Sequence, residues 1–413
     1  MNRESGVLLP VFSLPSKFGI GCFSKEAEEF IDFLYRAGQG YWQVLPFGPT
    51  GYGNSPYQPF SAFAGNLYFI SPEVLIEEGL LTWDEAGAEF FGNNQEKVDY
   101  GSMYENRTKL LKKAYDRFAA KDDRKDLDKY IKDNSYWLRD YCLYVAIKES
   151  EDGKSWLEWP EDLRKRKKEA LEKAEKKFKE EIDFTAFMQF KFDQQWQRIL
   201  KYAHEKNIKI IGDLPFYVAM DSADSWSHPE VFMMDEDFVP EVVAGCPPDA
   251  FSATGQRWGN PVYDWAQNKK DGYSWWIERI KRNYQWYDCI RIDHFHGFAE
   301  FYAIPYEDED ALGGKLMKGP GMDLFNALKK TFGELDMIAE DLGTTTEENV
   351  KLLKDSGFPG MKVLQFGFTS WDSCYVNHRH EKNCVVYTGT HDNTPTFAWV
   401  QEINDGERAF TRS

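Results

Sequence analysis

Short apolar runs rich in β-branched residues alternate with stretches of helical spacing along most of this chain. Runs at 7–12, 41–45, 208–213, 290–293 and 361–366, and two more opening at Leu335 and Cys384, have the length and residue types of buried strands. Between them, 25–37 sets Ala27, Phe30, Ile31 and Leu34 on one helical face, and 191–204, 273–284, 324–332 and 347–355 repeat that period. Strands separated by helices need crossover connections and therefore pair in parallel. The expectation is an α/β chain folded as a (β/α)8 barrel of the TIM type. A doubly wound open sheet fits less well, because no Gly-x-Gly-x-x-Gly opens a helix.

Two features interrupt the rhythm. From about 67 to 182 the chain is strongly charged and reads as a helical insertion anchored by Trp137, Trp156 and Trp159, with 163–178 as one long exposed helix. Glutamates interleaved with its lysines and arginines make that run a solvated face. The organisation predicted is therefore 1–66 with strands one and two, 67–182 as a helical subdomain, and 183–413 with the remaining strands. The loops 46–59 and 244–261 are too long and too rich in Gly, Pro and aromatic residues to be mere connectors.

Composition narrows the classes. A formal net charge of −18 argues against nucleic acid and anionic membrane surfaces as partners. Aromatic residues make up 16%, with 14 Trp, which is enough to furnish a stacking cleft besides the core. Six scattered cysteines, Cys22, Cys142, Cys246, Cys289, Cys374 and Cys384, form no Cys-x-x-Cys pair, as in a reduced cytoplasmic protein. No apolar run reaches membrane-spanning length.

The chemistry gathers at strand ends. Asp213, Asp293, Glu340, and His391 with Asp392 close four of the predicted strands, and a barrel opens all such ends onto one face. If 290–293 is extended, Arg291 and Asp293 share a face, and the guanidinium should hold that carboxylate ionised at low pKa, as suits a nucleophile. Taken singly, each residue also has a plain structural reading. Asp213 could cap a turn, His391 could be a satisfied core histidine, and alternation does not decide between Glu340 and Asp341. Together they suit glycosyl chemistry, which needs one ionised and one protonated carboxyl group. A metal-dependent hydrolase using His294 and His296 is the alternative class.

The blocks Gly212-Asp213-Leu214-Pro215, Arg291-Ile292-Asp293-His294, Ala339-Glu340-Asp341-Leu342-Gly343 and Thr390-His391-Asp392-Asn393 resemble the four signature regions of the α-amylase superfamily. Tyr52-Gly53-Asn54-Ser55-Pro56-Tyr57-Gln58 and the block 247–261 narrow the resemblance to the amylomaltase family, 4-α-glucanotransferases also called disproportionating enzymes. That resemblance implies a retaining double displacement on maltooligosaccharides and α-1,4-glucans. Asp293 would be the nucleophile, Glu340 the general acid/base, and Asp392 a stabiliser of the distorted sugar. Arg291, Asp213, His294, His391, Gln256, Trp258, Ser55 and Tyr57 would line the substrate cleft, with no metal or organic cofactor. The family has an eighth strand that the pattern here lacks. The corresponding expectation is a truncated barrel with unpaired edges, and the competing one an inactive glucan-binding fragment.

Overall fold

The computed structural model describes residues 3–412 apart from Tyr52, Gln95, Asp122, 249–251, Thr344, Thr345 and Thr369. Its strands are β1 (Gly6–Leu8), β2 (Tyr41–Gln43), β3 (Lys209–Leu214), β4 (Val242–Cys246), β5 (Gln256–Pro261), β6 (Cys289–Ile292), β7 (Glu300–Pro305), β8 (Lys315–Lys318), β9 (Met337–Ala339), β10 (Gly360–Val363) and β11 (Cys384–Tyr387). Five of them form a parallel sheet in the order β1-β2-β3-β6-β9, and β10 and β11 form a parallel pair. The Ala339 amide donates to the Pro359 carbonyl at 2.9 Å, carrying the succession from β9 to the start of β10. The sheet curls, because the Tyr387 hydroxyl on β11 reaches the side-chain carbonyl of Gln43 on β2 at 2.7 Å. These are the seven strands expected from the sequence, and Asp213, Asp293, Glu340, His391 and Asp392 lie at or just beyond the C-terminal ends of four of them.

Several boundaries differ from expectation, each for a local reason. The first strand stops at Leu8, because Pro10 has no N–H for a ladder and a 3-10 turn follows at Val11–Ser13. The stretch 163–178 is not one helix: Arg166 adopts a left-handed φ of 51° between helices Glu161–Arg164 and Lys168–Lys177. One helix runs from Lys179 to Glu205 across residue 182. The two ends of the supposed loop 244–261 are strands, β4 and β5, of an antiparallel sheet of order β5-β4-β7-β8.

One hydrophobic cluster spans the parallel sheet and the helical insertion. On the sheet side Phe47 meets Trp196 edge-on at 4.7 Å, and the Trp196 indole donates to the Trp286 carbonyl at 2.9 Å. On the insertion side Trp137, Trp156 and Trp159 are all buried. Asp221, in the segment following β3, accepts from the Tyr144 hydroxyl, the Lys148 ammonium and the Trp156 amide, while the Trp156 indole donates to the Met220 carbonyl at 2.9 Å. The insertion thereby grips the loop that continues from Asp213.

Candidate active site

Parallel register brings the first three charged groups together. Asp213 on β3 lies opposite Arg291 on β6, and Ile292 opposite Ala339 on β9, so Asp293 and Glu340 leave adjacent strands side by side. Arg291 is buried and places one nitrogen, Nη1, 2.7 and 2.9 Å from the two oxygens of Asp213 and 3.1 Å from Oδ1 of Asp293. The low pKa expected for Asp293 is not what this geometry yields. Burial raises its pKa above the ordinary carboxylate value, Arg291 opposes that rise, and the neighbouring charges of Asp213 and Glu340 add to it. Burial is the main cause, and competition adds to it: Asp213 takes the two shorter bonds from the guanidinium and leaves Asp293 the longest.

Glu340, not Asp341, faces this group. Its Oε2 accepts from the His294 amide and its Oε1 from the Leu342 amide, both at 2.8 Å. Asp341 turns away to the Met361 amide at 2.7 Å and Lys362 at 3.7 Å. Burial raises the Glu340 pKa, while Arg291 and the two amides hold the rise in check.

A second branch reaches the site through Tyr57. Its hydroxyl donates to Oδ2 of Asp213 and lies within hydrogen-bond distance of Nε2 of His391, both at 2.7 Å, with the two rings stacked at 5.4 Å. The phenol has one proton, and an ionised carboxylate can only accept. His391 therefore carries its own proton on Nε2, and the buried Nδ1, which has no protein partner, presents a lone pair. Burial also keeps the His391 pKa low. Asp392 is 3.3 Å from His391 Nε2, but its side chain is 70% exposed, and it is not brought against Asp293 or Glu340 by any hydrogen bond described.

Trp258 and His294 form the aromatic wall. The Trp258 indole meets the His294 ring edge-on at 5.3 Å and donates to the Gln256 side-chain carbonyl at 3.1 Å. Phe216 and Tyr217, immediately beyond β3, pack on the same imidazole at 5.7 and 6.2 Å. Burial pushes the His294 pKa down to about 4, so its ring is neutral. Ser55 is exposed, and its hydroxyl accepts from the Tyr57 amide at 3.3 Å, which shapes the loop without touching the carboxylates. Tyr52 and residues 249–251, part of the two motif loops, lie outside the described residues. Among the described residues no group of three or more His, Cys, Asp or Glu could hold a metal ion, so His294 and His296 lack the further ligands a zinc hydrolase needs. Tyr217, Gln43 and Tyr387 were not anticipated. Tyr217 could have been noticed as an aromatic residue just past a strand ending in Asp213, whereas Gln43 and Tyr387 carried no signal apart from three-dimensional proximity.

A parallel α/β sheet whose adjacent strands end in an Arg-supported aspartate and a half-buried glutamate, beneath an aromatic wall, is an arrangement suited to glycoside-processing chemistry. The sequence model of the 4-alpha-glucanotransferase family, glycoside hydrolase family 77, matches residues 9–413, and the chain belongs to that family. It is 48% identical over 399 residues to a 4-alpha-glucanotransferase of Clostridium butyricum, covering 96% of this chain and 82% of the relative. A 4-alpha-glucanotransferase of Streptococcus pneumoniae serotype 4 is 47% identical over 412 residues, covering 99% and 82%. The solved amylomaltase from Streptococcus agalactiae in complex with acarbose superposes with a TM-score of 0.97 at 39% identity, covering 100% of this chain and 84% of that one. Amylomaltase from Corynebacterium glutamicum, at 19% identity and TM-score 0.76, shares the fold. None of these matches favours an inactive glucan-binding fragment.

Proposed function

We propose that this 4-α-glucanotransferase moves α-1,4-glucan segments between maltooligosaccharides by retaining double displacement, on Asp293 and Glu340. The observation that carries the stereochemistry is their succession to the register pair Ile292 and Ala339. Neighbouring strands run about 4.8 Å apart, close to the roughly 5–5.5 Å between carboxyl groups of retaining enzymes and short of the roughly 6.5–9.5 Å of inverting ones.

In the first step a carboxylate oxygen of Asp293 attacks the anomeric carbon from the β face, and the bond to the leaving chain breaks. Glu340 gives its proton to the departing 4-oxygen. In the second, an acceptor 4-hydroxyl returns a proton to Glu340 and displaces the Asp293 ester, restoring an α-1,4 bond. Arg291 and Asp213 set the charge state of the nucleophile. His391, Tyr57, Trp258 and Gln256 bind and orient sugars, with Asp392 approaching the ring hydroxyls once a glucan is seated and Ser55 shaping the approach loop. The thiols of Cys22, Cys142, Cys289, Cys374 and Cys384, none of them in a disulfide, support a reducing, cytoplasmic setting with glucans as partners.

The test is interception. An α-maltosyl fluoride needs no proton on its leaving group, so Glu340→Gln protein should form the ester and release it slowly. Peptide mass analysis should then find a maltosyl adduct on the peptide containing Asp293. An adduct elsewhere, or wild-type turnover of maltotriose by Glu340→Gln, would overturn the assignment.

A further inference from the structure

His294 occupies a left-handed backbone conformation, with φ 51° and ψ 46°. For a residue with a Cβ this region is sterically disfavoured, although histidine, asparagine and aspartate enter it more readily than most. In an extended strand successive amides point to opposite sides, and the Asp293 amide does turn to the Leu214 carbonyl on β3 at 3.0 Å. At His294 the alternation ends. Its amide donates to Oε2 of Glu340 at 2.8 Å, and the next amide, of Phe295, donates to the main-chain carbonyl of the same Glu340 at 3.2 Å. A left-handed residue between two peptide planes is what makes consecutive N–H groups converge on one acceptor region.

We propose that His294 is a positioning residue acting through its backbone: its left-handed turn aims two successive amides at Glu340 and fixes that carboxyl beside Asp293. The inference rests on the assignment of Glu340 as acid/base and adds a separate function at His294, whose ring contacts Trp258 while its main chain holds the proton donor. The charged and titratable groups around Glu340 are Arg291 at the end of β6 and Asp293 just past it, Asp341 next in the chain but turned to Met361 and Lys362, and Tyr375 beyond β10. Arg291 and the two amides favour its ionised form, against burial and the neighbouring carboxylates. Loss of the aligned amide removes one bond to that form and raises the pH at which Glu340 gives up its proton.

The experiment compares His294→Gly, His294→Asn and His294→Val in the full chain. All three lose the imidazole and its Trp258 contact, so all three turn over maltotriose more slowly. Glycine takes the left-handed conformation freely, asparagine tolerates it, and β-branched valine resists it. The readout is the basic limb of kcat/KM against pH, which reports the free enzyme's acid. The limb should stay at the wild-type position in the Gly and Asn variants and rise by about one pH unit in the Val variant, the worth of one hydrogen bond to a charged group. If the Val variant does not fold, His294→Ala takes its place. Equal shifts in all three variants would tie the limb to the ring, and a folded Val variant with an unmoved limb would make the conformation merely structural; either result overturns the proposal. Glu340→Gln separates the two readings: if that variant keeps wild-type turnover and its basic limb, the acid/base assignment fails, whatever His294 does.

Discussion

Asp213→Asn is the substitution that tests the charge arrangement most directly. Asparagine keeps the shape of aspartate and an oxygen for Arg291 and Tyr57, and removes one negative charge. The oxygens of Asp213 and Asp293 lie 2.7 and 3.1 Å from the same Arg291 nitrogen, which bounds their mutual separation. Two charges within about 6 Å at an effective dielectric of about 20 repel by about 3 kcal/mol, roughly 2 pH units. Asp293 must be ionised to attack, and its pKa is raised to about 7, so kcat/KM should fall as pH drops through that value. In Asp213→Asn the repulsion is gone and Arg291 is free to favour Asp293, which moves the acid limb down by about 1–2 units. Initial rates of glucose release from maltotriose between pH 4 and pH 9, about the range spanned by ordinary carboxyl and thiol pKa values, would record it. A limb that stays in place or moves up would refute the claim that an ionised Asp213 sets the pKa of the nucleophile.

Other outcomes follow from the same contacts. Asp293→Asn should abolish transfer yet raise the melting temperature at pH 8: a carboxyl group with a raised folded pKa adds stability at low pH and loses it as pH rises through about 7, so removing the charge should help in alkali and matter little near pH 4. Thermal denaturation at the two pH values checks this. Tyr57→Phe removes the hydroxyl between Asp213 and His391 and should lower kcat by about 10–100-fold with a small change in melting temperature, since a bond to a charged group is worth about 1.5–3 kcal/mol. Trp258→Ala should shift product from longer maltooligosaccharides towards hydrolysis, because an ordered acceptor outcompetes water through its effective concentration; the ratio of ladder to reducing ends measures it.

Parallel strands were readable in the sequence because burial on both faces makes each a short, nearly continuous apolar run, as with Ile210 to Leu214. The antiparallel sheet around 242–318 was not, since Gly245, Gly255, Gly259, Pro247 and Pro248 break its strands into pieces that look like loop. The break at Arg166 was equally hidden, because the charged composition on either side is good for a helix. Candidate site residues were legible as chemistry at strand ends. Their electrostatics were not: reading Arg291 and Asp293 two residues apart predicted a low pKa, whereas burial raises it and Asp213, far away in sequence, holds the same guanidinium more closely. The choice between Glu340 and Asp341 likewise waited for register and for the amides of His294 and Met361.

Three carboxyl groups, Asp213, Asp293 and Glu340, share the field of one guanidinium, and burial raises the pKa of the last two. In a water-poor site the three cannot all ionise near neutral pH, because each further negative charge is repelled by the others and shed by burial. Asp213 accepts two bonds from Arg291 and one from Tyr57, so the guanidinium is engaged mainly by that carboxylate. The remaining proton is then held between Asp293 and Glu340. Asp293 has its third of Arg291 and Glu340 has two backbone amides, so either can carry the charge, and ionising one discourages the other. One anion and one acid on adjacent strand ends is the state from which a glycosidic bond is broken with retention. In the proposed double displacement, the charge on Asp293 disappears as the glucosyl ester forms, just as Glu340 loses its proton and becomes the base for the acceptor. The total charge facing Arg291 is therefore the same before and after each half-reaction, and the site need not admit water or a counterion to turn over.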